Sequence, residues 1–157
     1  MAKSSALKKQ SQKVKKSDLV FFSQKLKKIF KPLLKRKIKS AVAIDVSVMT
    51  SYADILIIIE TSSKRQTISI AQNIIKEFKK AKTNFLSIEG MKEGTWVLID
   101  CGDMILHIFD SETKSFYNLQ GLWADAPIID LKDFKKDGAG SIRKTKIDKK
   151  TQKGKTK

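Results

Sequence analysis

The sequence predicts an α/β (α+β) fold in which a single mixed β-sheet is flanked by helices. Three observations carry that reading. Apolar residues recur at helical spacing in two lysine-rich stretches, residues 19–33 and 68–78. Two β-branched runs lie between them, AVAIDVSV (41–48) and DILIII (54–59), the second apolar enough for a strand buried on both faces. Two alternating segments then flank Gly102, a residue able to supply the positive φ of a tight hairpin. The predicted order is helix, strand, strand, helix, short strand, strand, strand, short helix, with no internal repeat.

Each element has a local reason. Residues 1–16 are mainly Lys, Ser and Gln; they have too little apolar surface to offset the entropy of ordering and are expected to form a basic disordered arm. Ser17 offers an N-cap with Asp18 in the first turn, and Leu19, Phe22, Leu26, Ile29, Phe30 and Leu33 form the buried stripe of the first helix, which Pro32 kinks or restarts. The link between the two β-branched runs is short, so they are expected to pair antiparallel. Ser63 and Gln66 have capping-box spacing, and Ile68, Ala71, Ile74, Ile75 and Phe78 make the stripe of the next helix. Residues 85–88 form a short strand, Glu93-Gly94 a turn, and residues 95–101 and 103–109 the two arms of the hairpin. Ser111 caps a short helix reaching Tyr117; Leu119, Leu122 and Trp123 precede the Ala-Asp-Ala-Pro exit. Residues 130–134 are a last weakly ordered piece of a domain spanning 17–134, and 135–157 form a basic disordered tail.

The formal charge of +17 belongs to the ends. Residues 1–40 balance to +13 and residues 135–157 to +8, whereas residues 41–134 balance to −4. Lys-rich arms bind phosphate backbones without reading sequence, through counterion release, or simply keep a protein soluble. The lone cysteine excludes an internal disulfide, which fits a reducing compartment. No apolar run approaches the roughly 20 residues of a membrane helix, so no membrane association is expected.

The centre of the chain, residues 89–127, is both acidic and aromatic, and it holds both tryptophans, the only histidine and the only cysteine. No phosphate-binding loop, dinucleotide glycine pattern, nucleophile elbow or Cys–His pair occurs. Asp100 and Asp103 flank the hairpin turn near His107 and Cys101, but alternation places Asp100 and Cys101 on opposite faces, and no second His or Cys completes a zinc shell. No metal and no cofactor is therefore expected. The alternative is a nucleotide- or metal-using enzyme, which would need Asp100 and Asp103 to share one pocket. Trp96, Tyr117 and Trp123 are residue types common at interface hot spots, and acidic neighbours suit a basic partner. On residue type and position alone, Trp96 divides evenly between core and interface, whereas burial is favoured for Trp123, which follows a short helix near the end of the domain.

Three blocks stand in order: IDVSVMTSYADILIIIETSSKRQ (44–66), EGMKEGTWVLIDCGDMILHIF (89–109) and YNLQGLWADAP (117–127). Their residues and spacing resemble the ribosomal silencing factor family (RsfS, Iojap-like) across residues 18–130. The resemblance implies a fold similar to a nucleotidyltransferase core without its catalytic residues. It also implies a non-enzymatic factor of the cytoplasm that binds the large ribosomal subunit through universal large-subunit protein fourteen. Bound there, it would block association with the small subunit and repress translation. Some members are homodimers. Carried onto matching positions, Trp96, Asp100, Asp103, His107, Tyr117 and Trp123 are expected to form the partner-binding surface or its support. Asp45, Asp54, Ser63 and Arg65 match family positions too, although capping and packing explain them equally well. Two departures stand out: Glu60 occupies a position where the family often has Gly, and the Lys-rich arms, which could reach ribosomal RNA, extend beyond the family core.

Overall fold

The computed structural model describes Lys27, Leu33, residues 36–129 and Lys144–Thr145. The basic arm, most of the first helix, residues 130–134 and the tail apart from Lys144–Thr145 lie outside the described residues. Lys27 and Leu33 are both helical, and Leu33 is buried in the core.

The sheet is mixed, as the sequence predicts. Its strands are β1 (Ser40–Asp45), β2 (Ile55–Thr61), β3 (Ser87–Glu89), β4 (Trp96–Asp100), β5 (Met104–Asp110), β6 (Ile128–Ile129) and β7 (Lys144–Thr145). Their spatial order is β3-β4-β5-β2-β1-β6-β7. β1 and β2 pair antiparallel from Ser40↔Glu60 to Asp45↔Ile55, as their short link requires. Among the described residues, the one parallel pair is β2 with β5, running from Ile55↔Met104 to Thr61↔Asp110. The chain between those two strands forms helix α1 (Lys64–Lys80) and the β3–β4 hairpin. Two short helices follow, α2 (Ser111–Tyr117) and α3 (Leu119–Leu122).

Alternation along the strands divides the core into two layers. Ile55, Ile57, Ile59, Val97, Ile99, Leu106 and Ile108 point to one face and pack with α1 and Leu33. Ile44, Leu56, Ile58, Ile105 and Phe109 point to the other and pack with Trp96, Leu98, Leu119 and Trp123. β2 is buried on both faces apart from Glu60, as its sequence predicts. β5 differs from its expected half-buried alternation: all seven residues are buried, because it sits centrally beneath both layers.

Helix α1 corrects the predicted stripe. Its buried residues are Thr67, Ile70, Ala71, Ile74 and Phe78; Ile68 and Ile75 sit at the edges of that face. The Gln66 amide donates to Ser63 Oγ (3.2 Å), which is one half of the expected capping box. The other half shifts back one residue: Gln66 Oε1 accepts from the Ser62 amide (2.8 Å). Thr67 is buried at no cost in polar satisfaction, since its hydroxyl pairs with that of Thr61 at 2.6 Å. Helix α2 corrects the predicted cap. Asp110, not Ser111, occupies the N-cap and accepts from the Thr113 amide (2.8 Å), while the Ser111 hydroxyl donates to Thr61 O (3.0 Å). The short strand starts at Ser87 rather than 85, and β6 and β7 have no counterpart in the predicted order. Gly102 takes the positive φ its hairpin needs (84°). Gly90 is equally constrained: at φ 82° an added Cβ would lie 1.9 Å from the Trp96 carbonyl oxygen. Among the described residues, no helix is long and apolar enough to cross a membrane.

Candidate partner-binding face

The two faces of the sheet are unequally covered. A 17-residue helix closes one. Among the described residues, the other carries α2, α3 and the chain leading to β6, and neither of these two helices has a fully buried residue. Large apolar side chains remain exposed around this second face: Tyr52 (57%), Phe116 (81%), Tyr117 (52%) and Leu122 (74%).

The hairpin register sets Trp96 opposite Phe109 and Leu98 opposite His107. All four side chains therefore lie on the second face. The half-buried Trp96 ring stacks on Phe109 (centroids 4.8 Å apart) and lies 4.9 Å from Tyr117 and 5.8 Å from His107. Tyr117 makes an edge contact with Phe116 (5.1 Å). Such pairs contribute about 0.5–1.5 kcal/mol each beyond their buried area. The Trp96 indole donates from Nε1 to His107 Nδ1 at 3.1 Å. An indole N–H is only a donor, so Nδ1 is the acceptor and the proton of the neutral imidazole sits on Nε2. Burial holds the imidazole down at about 4, against an ordinary 6.5. His107 is thus a neutral, buried support for Trp96 at pH 7.

Of the six predicted residues, Trp96, His107 and Tyr117 form this one cluster. Trp123 is half-buried in the same layer, with its ring edge-on to Tyr52 (6.5 Å). It borders an open depression of about 490 Å³ lined also by Ile44, Ile58, Lys114, Leu119 and Ile128. Asp100 and Asp103 shape the β4–β5 turn. Asp100 Oδ1 accepts from the Gly102 amide (2.8 Å), and the Asp103 carbonyl accepts from the amides of Asp54 (2.8 Å) and Ile55 (3.2 Å). Neither aspartate lines the depression. Among the described residues, no group of three or more His, Cys, Asp or Glu is placed to hold a metal ion.

Glu60 is bound into the same face. Its carboxylate accepts from Ser40 Oγ (2.9 Å) and meets Lys114 Nζ at 3.3 Å, so it ties β1 and β2 to α2. Burial acts to raise its pKa, but hydrogen bonds from Ser111, Ser40 and Lys114 outweigh that and lower it. The single Ser111 proton is directed at Thr61 O, which leaves Ser40 and Lys114 as the effective partners.

Sequence reasoning missed Phe109, Tyr52, Glu60 and Lys114 as parts of this face. Phe109 was recoverable, because pairing outward from the Gly102 turn sets it opposite Trp96. Tyr52 carried no such signal: it reaches Trp123 from a loop 71 residues earlier in the chain.

A family model described as "Ribosomal silencing factor during starvation" matches residues 22–156. The chain is 32% identical over 96 residues to the ribosomal silencing factor RsfS of Halalkalibacterium halodurans, covering 61% of this chain and 82% of that protein. A crystal structure of a Chromobacterium violaceum protein superposes with a TM-score of 0.62 at 27% identity, over 65% of this chain and 85% of that one. A mouse protein named "Mitochondrial assembly of ribosomal large subunit protein 1" is 29% identical over 75 residues, 46% of this chain and 33% of its own.

Proposed function

The chain belongs to the ribosomal silencing factor family, and from that membership we propose that it binds the large ribosomal subunit and blocks association with the small one, repressing translation. It acts as a binding protein rather than an enzyme, in the cytoplasm, where it meets ribosomes. Its direct partner is universal large-subunit protein fourteen. The observation that carries this reading is the aromatic cluster on the thinly covered face of the sheet.

Each residue has a role in the proposal. Trp96 and Tyr117 are the contact anchors, since both are large, partly exposed and held in place by neighbours. His107 and Phe109 back Trp96 and are too buried to touch a partner first. Trp123 with Tyr52 forms a second anchor beside the depression. Asp100 and Asp103 hold the hairpin that presents Trp96. Exposed Glu112 on α2 and Asp125 after α3 supply negative charge suited to a basic ribosomal protein. The Lys-rich arms add contacts to ribosomal RNA. Occlusion of the small subunit is steric and requires no chemistry.

Sucrose-gradient sedimentation of ribosomal subunits tests the proposal. The wild-type chain is expected to migrate with the large subunit and to deplete joined ribosomes. Trp96→Ala removes the anchor at a partly exposed site; it should weaken both effects by about 10-fold or more, the scale of a hot-spot residue. Migration with the small subunit, or full joining at saturating protein, would reject the reading.

A further inference from the structure

Charge in the described body is segregated. Residues 36–39 and 64–82 hold nine Lys/Arg against one acid, whereas the remaining residues between 36 and 129 hold two lysines against ten acids. The cationic set lies along α1, on the opposite side of the sheet from the aromatic cluster.

The face of α1 turned away from Ile70, Ala71, Ile74 and Phe78 carries Arg65, Ser69, Gln72, Lys76, Lys79 and Lys80. Between Arg65 and Lys76 the helix itself has no cation on this face, and Arg36 fills the gap: its Nη1 donates to Ser69 Oγ at 3.1 Å. The backbone beside it is fixed to the helix too, since Gln66 Nε2 donates to Lys37 O (2.8 Å). The result is a continuous row of positive charge about 23 Å long, from the helical rise between residues 65 and 80. Among the described residues, Lys80 alone in this row has a carboxylate partner, Glu77 at 3.1 Å. Helix stability does not account for the row. Lys79 and Lys80 suit the helix C-terminus, but Lys64 and Arg65 stand in a first turn that has no acid, against the helix dipole.

We propose that this outward face of α1, with Arg36 laid against it, is a second binding surface, which takes the phosphate backbone of RNA. Exposed cations interleaved with the side chains of Ser69 and Gln72 match a run of phosphate oxygens. A protein partner fits less well, because lysine is depleted in protein interfaces and the row has no aromatic anchor. A membrane surface fits less well again, because no large apolar side chain stands in the row to enter the bilayer. The polyanion-binding chemistry stands on the row itself; that the polyanion is RNA rests on the ribosomal reading above. The domain would then hold a protein on one side of its sheet and RNA on the other.

Fluorescence anisotropy tests this with the full-length chain and a single-stranded RNA of about 20 nucleotides, over about 50–200 mM salt. In R65Q/K76Q/K79Q/K80Q the slope of log K against log salt should flatten by about 3, at about 0.7 per lost phosphate contact. All four side chains are exposed, so the melting temperature should hold; if it falls, K76Q/K79Q should still flatten the slope by about 1.4. Flattening well below these values would overturn the proposal, with the arms left as the whole RNA contact. Equal affinity for polyglutamate, lost in the same variant, would also overturn it in favour of an acidic protein. Trp96→Ala should leave the RNA slope unchanged, so failure of this surface and failure of the aromatic one are read separately.

Discussion

His107 shows how one side chain can be committed by its surroundings. It lies in the middle of β5, is only 7% exposed, and accepts the indole proton of Trp96. Its imidazole titrates at about 4 when folded and at an ordinary 6.5 when unfolded. The unfolded chain therefore binds the proton first as pH falls, so stability is full above pH 6.5 and declines from there down to about 4. The whole effect is bounded by about 3 kcal/mol, at 1.36 kcal/mol per unit. Asn keeps an acceptor near the Nδ1 position without a titrating group. Denaturant unfolding at pH 7 and pH 5 should thus show a marked loss for the wild type and a much smaller one for His107→Asn. Equal losses in both proteins would sink this account of His107.

At the scale of elements, α2 is the piece on which the aromatic face depends. It is seven residues long and has no fully buried residue, so intrinsic helicity does not sustain it. Three polar ties hold it instead: the Asp110 cap, the Ser111 hydroxyl on Thr61 O, and the Lys114–Glu60 pair, whose side chains are one-quarter or less exposed. Asp110→Ala should cost about 1 kcal/mol in denaturant unfolding, and Asp110→Asn only a few tenths, because Asn retains the capping oxygen. Tyr117 ends the same helix, so Asp110→Ala should also weaken large-subunit co-sedimentation. A sequence-only reader finds α2 but assigns its cap to Ser111. Ser and Asp are equally good caps, and the choice between them was made by the parallel pairing of β5 with β2, which puts Ser111 within reach of Thr61 O.

For the whole molecule, the proposed function assigns stability to one layer of the sheet and recognition to the other. Phe78 is fully buried beneath α1, and Phe78→Ala should cost about 3–5 kcal/mol in denaturant unfolding. That is a large share of the 5–15 kcal/mol typical of a domain. Tyr117 is about half exposed, so Tyr117→Ala should change stability far less while weakening large-subunit co-sedimentation more strongly. The reverse pattern would mean that the thinly covered layer is core and not contact surface. The closed layer bears the cationic row and the open one the aromatic cluster, so the sheet keeps two surfaces of unlike chemistry apart.

By itself, the sequence determined the strand identities of β1, β2, β4 and β5, the helix over 64–80, the Gly102 hairpin and the family resemblance. These rest on local periodicity and turn chemistry, which a linear chain displays directly. Through the blocks it shares in pattern with that family, it also brought forward Trp96, Asp100, Asp103, His107, Tyr117 and Trp123, of which the structure places Trp96, His107 and Tyr117 in one cluster. Only the tertiary structure decided that β5 is buried on both faces, that Glu60 anchors α2, that Tyr52 meets Trp123 and that Arg36 completes the row on α1. Each of these depends on chain segments that lie far apart in sequence and meet only once β5 inserts beside β2 and the sheet acquires two faces. Periodicity tells a residue which side of its own strand or helix it occupies; what covers that side is set by the rest of the molecule.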